Sequence, residues 1–276
     1  MFPSFILALR EGLEAALVIG IVLGVLSRIN RQDLRPSVWS GVIAAIIFSL
    51  LGALLLNQLG AQFDGLAEEI FEGITMLVAA GLLTWMIFWM QGRGSTLRQE
   101  LETDTRRAVF QGGQKALFIL AFLAVGREGL ELAIFLYATR VTSDALQTMV
   151  GAILGLVISA ILGWILFATT KRLNLKSFFQ ATSVLLILFA AGLVAHGVHE
   201  FNEAGLIPPV VEHVWDVNQF LNENSTLGEL LKALFGYNGN PSLTEVIAYV
   251  AYFVLLWFGI QRIVRPVDGR REPLKN

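Results

Sequence analysis

Long apolar stretches separated by short polar segments make up most of the chain. Seven of these stretches are long enough to cross a lipid bilayer, since a transmembrane helix needs about 20 apolar residues. We number them spans 1 to 7, and they cover residues 2–26, 38–59, 68–90, 114–138, 146–168, 178–198 and 243–264. The pattern predicts an all-α polytopic membrane protein with seven transmembrane helices.

Composition agrees with a membrane protein and excludes several other classes. Of the 276 residues, 55% are hydrophobic and 15% are charged, whereas soluble domains carry about 25% charged residues. Span 1 is too long and too interrupted by charge for a cleavable signal peptide, so we expect a permanent helix. The sequence has no cysteine, which excludes disulfides, thiolate metal sites and Fe–S clusters, and its net charge of -2 favours no nucleic-acid partner.

The distribution of Lys and Arg predicts the orientation of the spans. Sixteen of these residues lie in the connections after spans 1, 3 and 5 and in the C-terminal segment, whereas the opposite side has only Arg140 and Lys232. Cytoplasmic loops carry the excess of positive charge in membrane proteins. We therefore expect a multi-pass protein of the plasma (inner) membrane with its N-terminus outside and its C-terminus in the cytoplasm.

The connection between spans 6 and 7 is acidic. It is either an ordinary solvated loop or a vestibule that raises the local concentration of cations. Its segment LGELLKALFGY, residues 227–237, is expected to lie on the membrane surface as a short amphipathic helix.

The motif Arg-Glu-Gly-Leu-Glu occurs twice inside apolar spans, at residues 10–14 of span 1 and 127–131 of span 4. Two weaker similarities follow in the same order: LLGALLL in span 2 matches ILGWILF in span 5, and AAGLL in span 3 matches AAGLV in span 6. Spans 1–3 and 4–6 therefore form two copies of a three-helix unit, and an odd number of helices per copy makes the copies inverted. Inverted-repeat transporters bind their substrate near the membrane midplane, between the copies.

This organisation divides one transmembrane permease domain, residues 1–276, into four parts. Repeat 1 covers residues 1–91, repeat 2 covers 112–199, the extracytoplasmic acidic loop covers 200–242, and the accessory span 7 with a basic cytoplasmic tail covers 243–276.

Each motif places two carboxylates and one guanidinium on one helix face, because residues three and four apart are neighbours. The six residues are Arg10, Glu11, Glu14, Arg127, Glu128 and Glu131. A charge at the centre of a membrane helix costs about 2.5–3.5 kcal/mol, so the six side chains are expected to face the protein interior. They are either interhelical salt bridges or an ion site, and buried ion pairs seldom add net stability. Four carboxylates form an oxygen cage that suits hard multivalent cations, and the arginines keep an ion from binding too tightly to leave.

Two further polar clusters lie at the outer ends of spans 3 and 6. Glu68, Glu69 and Glu72 begin span 3; they bind cations or simply complement the helix dipole. The end of span 6 carries a set with the spacing of one helical face, namely His196, His199, Glu200 and Glu203. This set is a candidate entrance site for a transition metal, with interfacial polar residues or a proton relay as the alternatives.

The paired REGLE motifs, the seven-span layout, EIFEGI at 69–74 and HEFNEAGL at 199–206 together resemble the oxidase-dependent iron permeases. This family includes the fungal high-affinity iron permease and the bacterial Efe-system permease. The chain is most similar to the bacterial branch, over nearly its whole length, including the FGY…P stretch before span 7. The bacterial pattern ends span 6 with one histidine, whereas this chain has both His196 and His199.

The resemblance implies an iron-uptake permease whose two Arg-Glu-x-x-Glu motifs are needed for transport. It also makes Glu69 and Glu72 candidate iron-handling residues. The family works with an extracytoplasmic oxidase or iron-binding partner, which we expect to be a separate protein here. Iron, taken as ferric ion after oxidation, is then the transported substrate, and no cofactor is expected.

Other functions remain as alternatives to iron uptake. The same scaffold suits another cation, such as lead or manganese, because carboxylates do not select one hard cation by composition. An intramembrane metalloenzyme built on HGVHE, residues 196–200, is remote, since this segment matches neither H-E-x-x-H nor H-x-x-E-H. Both this enzyme and a purely structural protein leave the two charged motifs unexplained.

Overall fold

Helices form most of the part of the chain that this computed structural model describes, residues 1–93, 97–168, 175–223 and 225–264. No strand occurs within these ranges. The α-helices are α1 (Phe2–Arg28), α2 (Arg35–Gly60), α3 (Leu66–Arg93), α4 (Leu97–Arg107), α5 (Gly113–Thr142), α6 (Ala145–Ala168), α7 (Leu175–Glu203), α8 (Thr226–Phe235) and α9 (Leu243–Val264). A 3₁₀ turn, Gln32–Leu34, precedes α2, and a π-helical turn, Ala108–Gly112, joins α4 to α5.

Five of these helices, namely α2, α3, α6, α7 and α9, are long and apolar enough to cross a membrane. The chain is therefore a multi-pass membrane protein. Helices α1 and α5 are also long, with 27 and 30 residues, but each carries the three charged residues of a REGLE motif within its apolar stretch. All seven long helices coincide with the predicted spans to within a few residues.

The segment between spans 3 and 4 is more structured than the sequence analysis predicted. It contains α4, a polar helix that packs against α1. Arg28, the last residue of α1, lies 3.6 Å from Glu102 of α4. An 11-residue helix with few apolar positions is marginal by itself, so its packing against α1 contributes to its stability, and the local sequence does not show this packing.

The long helices pack in two matching pairs. Helix α1 lies along α6, and α5 lies along α2, while α1 and α5 also contact each other. Helix α3 packs against α7, and α9 packs mainly against α7. Small residues bring the backbones close together: a Cβ at Gly155 of α6 would lie 2.8 Å from the backbone nitrogen of Leu9, and a Cβ at Gly41 of α2 would lie 2.5 Å from the carbonyl oxygen of Phe118.

Buried apolar side chains fill two clusters. One lies between α1, α3, α5, α7 and α9 and includes Leu7, Met76, Met86, Phe135 and Leu193. The other joins α1, α2 and α5 and includes Leu26, Val42 and Leu117. The outer faces of α2, α6 and α9 expose many large apolar side chains, among them Leu51, Leu54, Ile153, Val157, Leu255 and Phe258. Apolar surfaces this extensive indicate lipid contact.

Helix α8 lies within the helix assembly, contrary to its predicted place on the membrane surface. It contacts α7 and also reaches α1 and α5. Gly236, which ends α8 in the left-handed conformation (φ 67°), lies against Gly192 of α7, where a Cβ would be 2.6 Å from the Gly236 Cα. Gly192 is about 16 Å along the axis from the end of α7 at Glu203, so the C-terminal end of α8 packs well inside the length of α7.

Candidate metal site between α1 and α5

Helices α1 and α5 bring the two charged motifs together. Each of Glu11, Glu128 and Glu131 offers a carboxylate oxygen, and these three oxygens lie within 4.8 Å of one another. In the part of the chain that the structure describes, this is the one group of three or more potential ligand side chains with such spacing. The site therefore draws one glutamate from the first motif and two from the second.

Each arginine pairs with the last glutamate of its own motif. Arg10 Nε lies 3.2 Å from Glu14 Oε1, and Arg127 Nε donates a hydrogen bond of 2.7 Å to Glu131 Oε1. Both pairs have the i, i+4 spacing that joins side chains on one helix face. Glu14 is thus held by Arg10 beside the triad, while Glu131 belongs both to the triad and to an ion pair.

The triad is buried and only partly satisfied. Glu11 is 1% exposed, and Glu128 and Glu131 are also buried. Both carboxylate oxygens of Glu11 and the Oε2 atoms of Glu128 and Glu131 accept no hydrogen bond from the described residues. Burying carboxylate oxygens without a donor or a positive partner is costly. A bound cation would satisfy them, and a set of carboxylate oxygens suits a hard metal ion.

The glycines of both motifs mark the closest helix contacts around the triad. A Cβ at Gly12 would lie 2.8 Å from the Cβ of Ser159 in α6, and a Cβ at Gly129 would lie 2.7 Å from the Cβ of Ser49 in α2. Each serine hydroxyl donates to a carbonyl oxygen of its own helix, Ser159 to Leu156 and Ser49 to Ala45, at 2.8 Å in both. The two motifs are therefore held by equivalent helix contacts.

Two tryptophans that the sequence analysis did not assign to a site contact the second motif. The guanidinium carbon of Arg127 lies 5.2 Å from the ring centroids of both Trp85 and Trp89 in α3. Their i, i+4 spacing was the available sequence signal, but their partner on another helix depends on the tertiary packing.

The acidic residues at the start of α3 and at the end of α7 lie close enough to interact electrostatically. Glu68 is exposed, whereas Glu69 and Glu72 are partly buried. Glu72 interacts electrostatically with Glu68 and with Arg140 of α5, and Glu200 of α7 interacts with Glu72 and Glu69. The predicted clusters at the ends of spans 3 and 6 are thus parts of one acidic surface.

The two histidines of α7 point to different partners. His196 is buried, and its Nδ1 lies 3.0 Å from the carbonyl oxygen of Gly192 in the same helix. His199 Nδ1 lies 3.0 Å from Glu245 Oε1 of α9, and its Nε2 lies 3.3 Å from Glu203 Oε1. The structure therefore joins His199 and Glu203, with Glu245 in addition, but directs His196 to its own backbone.

Glu245 is a residue that the sequence analysis missed. Its Oε1 accepts a hydrogen bond of 3.1 Å from the backbone nitrogen of Ser242, and its Oε2 accepts one of 2.8 Å from Asn238 Nδ2. The available signal was the Ser-x-x-Glu spacing of 242–245, which is typical of a capping box at a helix start.

Comparison with known proteins assigns the chain to a family. A family model described as the Iron permease FTR1 family matches residues 1–266. Ferrous iron permease EfeU of Escherichia coli O6:H1 (strain CFT073) is 36% identical over 256 residues, which cover 92% of this chain and 93% of that protein. The protein of the same name from Yersinia pestis is 36% identical over 256 residues, with 92% and 91% covered. No solved structure matches the chain.

These matches confirm the resemblance that the paired motifs suggested, since they extend over nearly the whole sequence. The chain belongs to the FTR1 iron permease family.

Proposed function

We propose that the chain is an iron-uptake permease, not an enzyme, and that iron crosses the membrane through the triad of Glu11, Glu128 and Glu131. The observation that carries this proposal is the convergence of three buried carboxylates from the two motif helices, with oxygens within 4.8 Å. Membership of an iron permease family supports iron as the transported ion. The arginines offset part of the negative charge, so that the ion is held but also released.

The proposed architecture has seven membrane spans and two inverted repeats, α1–α3 and α5–α7, with α9 as an accessory span. Equivalent contacts of the two halves support it: Gly12 against Ser159 matches Gly129 against Ser49. The pairing of α1 with α6 likewise matches that of α5 with α2. We place the N-terminus outside and the C-terminus in the cytoplasm, because Lys and Arg are concentrated in the connections after spans 1, 3 and 5 and in the C-terminal segment.

The proposed path begins at the acidic surface formed by α3 and α7. Glu69 and Glu72, with Glu200 opposite them, attract and receive cations, since a surface of one charge sign concentrates counter-ions. The ion then moves to the triad. Glu14 lies beside the triad and is paired with Arg10. Rocking of the two repeats opens the triad to the cytoplasm, and protonation of a glutamate would weaken the site and release the ion.

We propose ferric ion as the form that enters the triad, after oxidation by a separate extracytoplasmic partner. A ligand set made only of carboxylate oxygens favours the harder ion. The two relatives above are named ferrous iron permeases, and a partner that oxidises ferrous iron outside the membrane accommodates both statements.

Uptake of radioactive iron into proteoliposomes tests this function. We expect Glu131→Gln and Glu14→Gln to lose uptake, while Glu212→Gln, at an exposed acid of the outer connection, retains it. The comparison requires equal amounts of folded, inserted protein. Full uptake by both site variants would show that the motifs are structural ion pairs and would refute the proposed path.

The same assay resolves the ion that is carried. Iron is supplied as ferric or as ferrous ion, with lead and manganese as competitors. Faster uptake of ferric iron supports the oxidised form, and faster uptake of ferrous iron refutes it. Uptake of manganese or lead in preference to iron would instead make the chain a carrier of that metal.

A further inference from the structure

The two REGLE motifs have identical sequences and equivalent ion pairs, but their arginines have different surroundings. The Arg10 side chain is completely buried. The Arg127 side chain is 35% exposed and lies next to the indole rings of Trp85 and Trp89. The contact with two indole rings of α3 is therefore part of what fixes the position of the Arg127 guanidinium.

Both indole rings contact the same guanidinium. Trp85 and Trp89 lie one turn apart on α3, with ring centroids 6.5 Å from each other and each 5.2 Å from the Arg127 Cζ. Both distances to the cation are within the range of about 6 Å in which a guanidinium is attracted to an aromatic face. We call this pair the tryptophan clamp.

The clamp is confined to one half of the molecule. The similarity of AAGLL at 79–83 to AAGLV at 190–194 aligns Trp85 with His196 and Trp89 with Glu200. His196 is bonded to its own helix backbone, and neither residue offers a large indole face. The first motif thus has no counterpart of the clamp at these positions.

A mobile Arg127 would compete with a metal ion. Its Nε already lies 2.7 Å from Glu131 Oε1 and 3.9 Å from Glu128 Oε1, and both glutamates belong to the triad. A guanidinium has five donors suited to carboxylates, so a small movement toward the triad would occupy oxygens that a cation needs.

We propose that Trp85 and Trp89 are positioning residues that hold Arg127 on the α3 side, so that its guanidinium pairs with Glu131 without filling the triad. This inference rests on the proposed function, because the triad is the site that the clamp keeps accessible. The position of the positive charge in the second motif is thus set by side chains of α3.

Uptake kinetics test the clamp through the KM for iron. The variant Trp85→Leu/Trp89→Leu frees Arg127 to compete with the metal ion. We expect KM to rise about tenfold, because the loss of two cation–π contacts corresponds to a change in affinity of about this size. The maximal rate changes less than twofold, because a saturating ion still displaces the guanidinium. Trp85→Phe/Trp89→Phe keeps two aromatic faces and is expected to recover most of the affinity.

The control is Trp164→Leu, which removes an indole that is 71% exposed on α6 and should leave KM unchanged. A KM for the Leu pair equal to that of the control would overturn the proposal. So would a loss confined to the maximal rate, or equal KM values for the Leu and Phe pairs, because those results indicate a packing role only.

A thermal unfolding cycle in detergent checks the clamp without transport. We expect the Leu pair to lower Tm in the parent protein and to lower it less when combined with Arg127→Gln, since the cation is then gone. Additive shifts in Tm would refute the contact. Normal uptake by Glu131→Gln would refute the proposed function instead, and this outcome leaves the result of the cycle unchanged.

Discussion

Gly12 of α1 lies directly against Ser159 of α6, so that a Cβ at residue 12 would come within 2.8 Å of the Ser159 Cβ. The preceding residue is Glu11, a member of the carboxylate triad. The distance between α1 and α6 and the position of the triad are therefore linked through one glycine.

Gly12→Ala is expected to destabilise the protein by about 1–3 kcal/mol, the usual cost of overpacking a close contact. It also moves Glu11 and lowers iron uptake. Thermal unfolding and proteoliposome uptake measure the two effects. Gly24→Ala on the same helix is the matched control, because no described residue beyond the adjoining backbone of α1 has an atom within 4 Å of a Cβ there.

The compensating change Ser159→Gly removes the two closest atoms that an alanine at residue 12 would meet, Oγ and Cβ of Ser159, and leaves Leu156 Cδ2 at 3.3 Å. The double variant should regain much of the lost Tm. If the inverted repeat holds, Gly129→Ala and its partner Ser49→Gly should behave in the same way. Equal stability of Gly12→Ala and Gly24→Ala would contradict the contact.

The long helices were predictable because lipid leaves the backbone little choice. A spanning helix must satisfy its hydrogen bonds internally and present apolar side chains, and this requirement is visible as the seven apolar runs. The convergence of the motifs at one site followed from their repetition. Both motifs lie inside their spans, and spans 1 and 4 run in opposite directions, so Glu11, Glu128 and Glu131 were expected in one site. The sequence did not show that Glu14 pairs with Arg10 beside the triad.

Contacts between distant segments were not predictable. Helix α8 has an amphipathic sequence that is typical of a membrane surface, and its insertion depends on a close approach of Gly236 to Gly192. The clamp on Arg127 likewise requires the packing of α3 beside α5. No local pattern shows which residues meet, because these contacts join residues 38 to 44 positions apart.

Gly192→Ala should displace α8 and lower stability by about 1–3 kcal/mol or more, because the atoms that its Cβ would meet belong to the backbone of residues 235 and 236. The matched control is Gly81→Ala, at the position of α3 that aligns with Gly192. Among the described residues, nothing outside the neighbouring backbone of α3 lies within 4 Å of a Cβ there. Thermal unfolding of the two variants gives the comparison. Equal Tm values would mean that the end of α8 does not pack against α7 at Gly192.

Glu245→Gln should weaken the attachment of α9 to α7. His199 Nδ1 lies 3.0 Å from this buried carboxylate, and hydrogen bonds to charged groups contribute about 1.5–3 kcal/mol. Glu203→Gln is the control, since it removes the other carboxylate next to His199, and the Glu203 side chain is 56% exposed. Exposed pairs contribute only about 0–1 kcal/mol. Chemical unfolding should therefore separate the two variants, and an equal loss would indicate that burial of Glu245 does not strengthen its pairing.

The absence of native cysteine makes the orientation directly testable. Asp64→Cys places a thiol in the connection between α2 and α3, and Asp33→Cys places one between α1 and α2; both positions are exposed. A membrane-impermeant maleimide added to intact cells should label the variant at residue 64 but not the variant at residue 33, because the proposed orientation places the basic connections in the cytoplasm. Both should react after the membrane is permeabilised, which shows that each thiol is accessible. The reverse pattern would invert the topology, and the acidic surface of α3 and α7 would then face the cytoplasm, where it serves release of the ion instead of its capture.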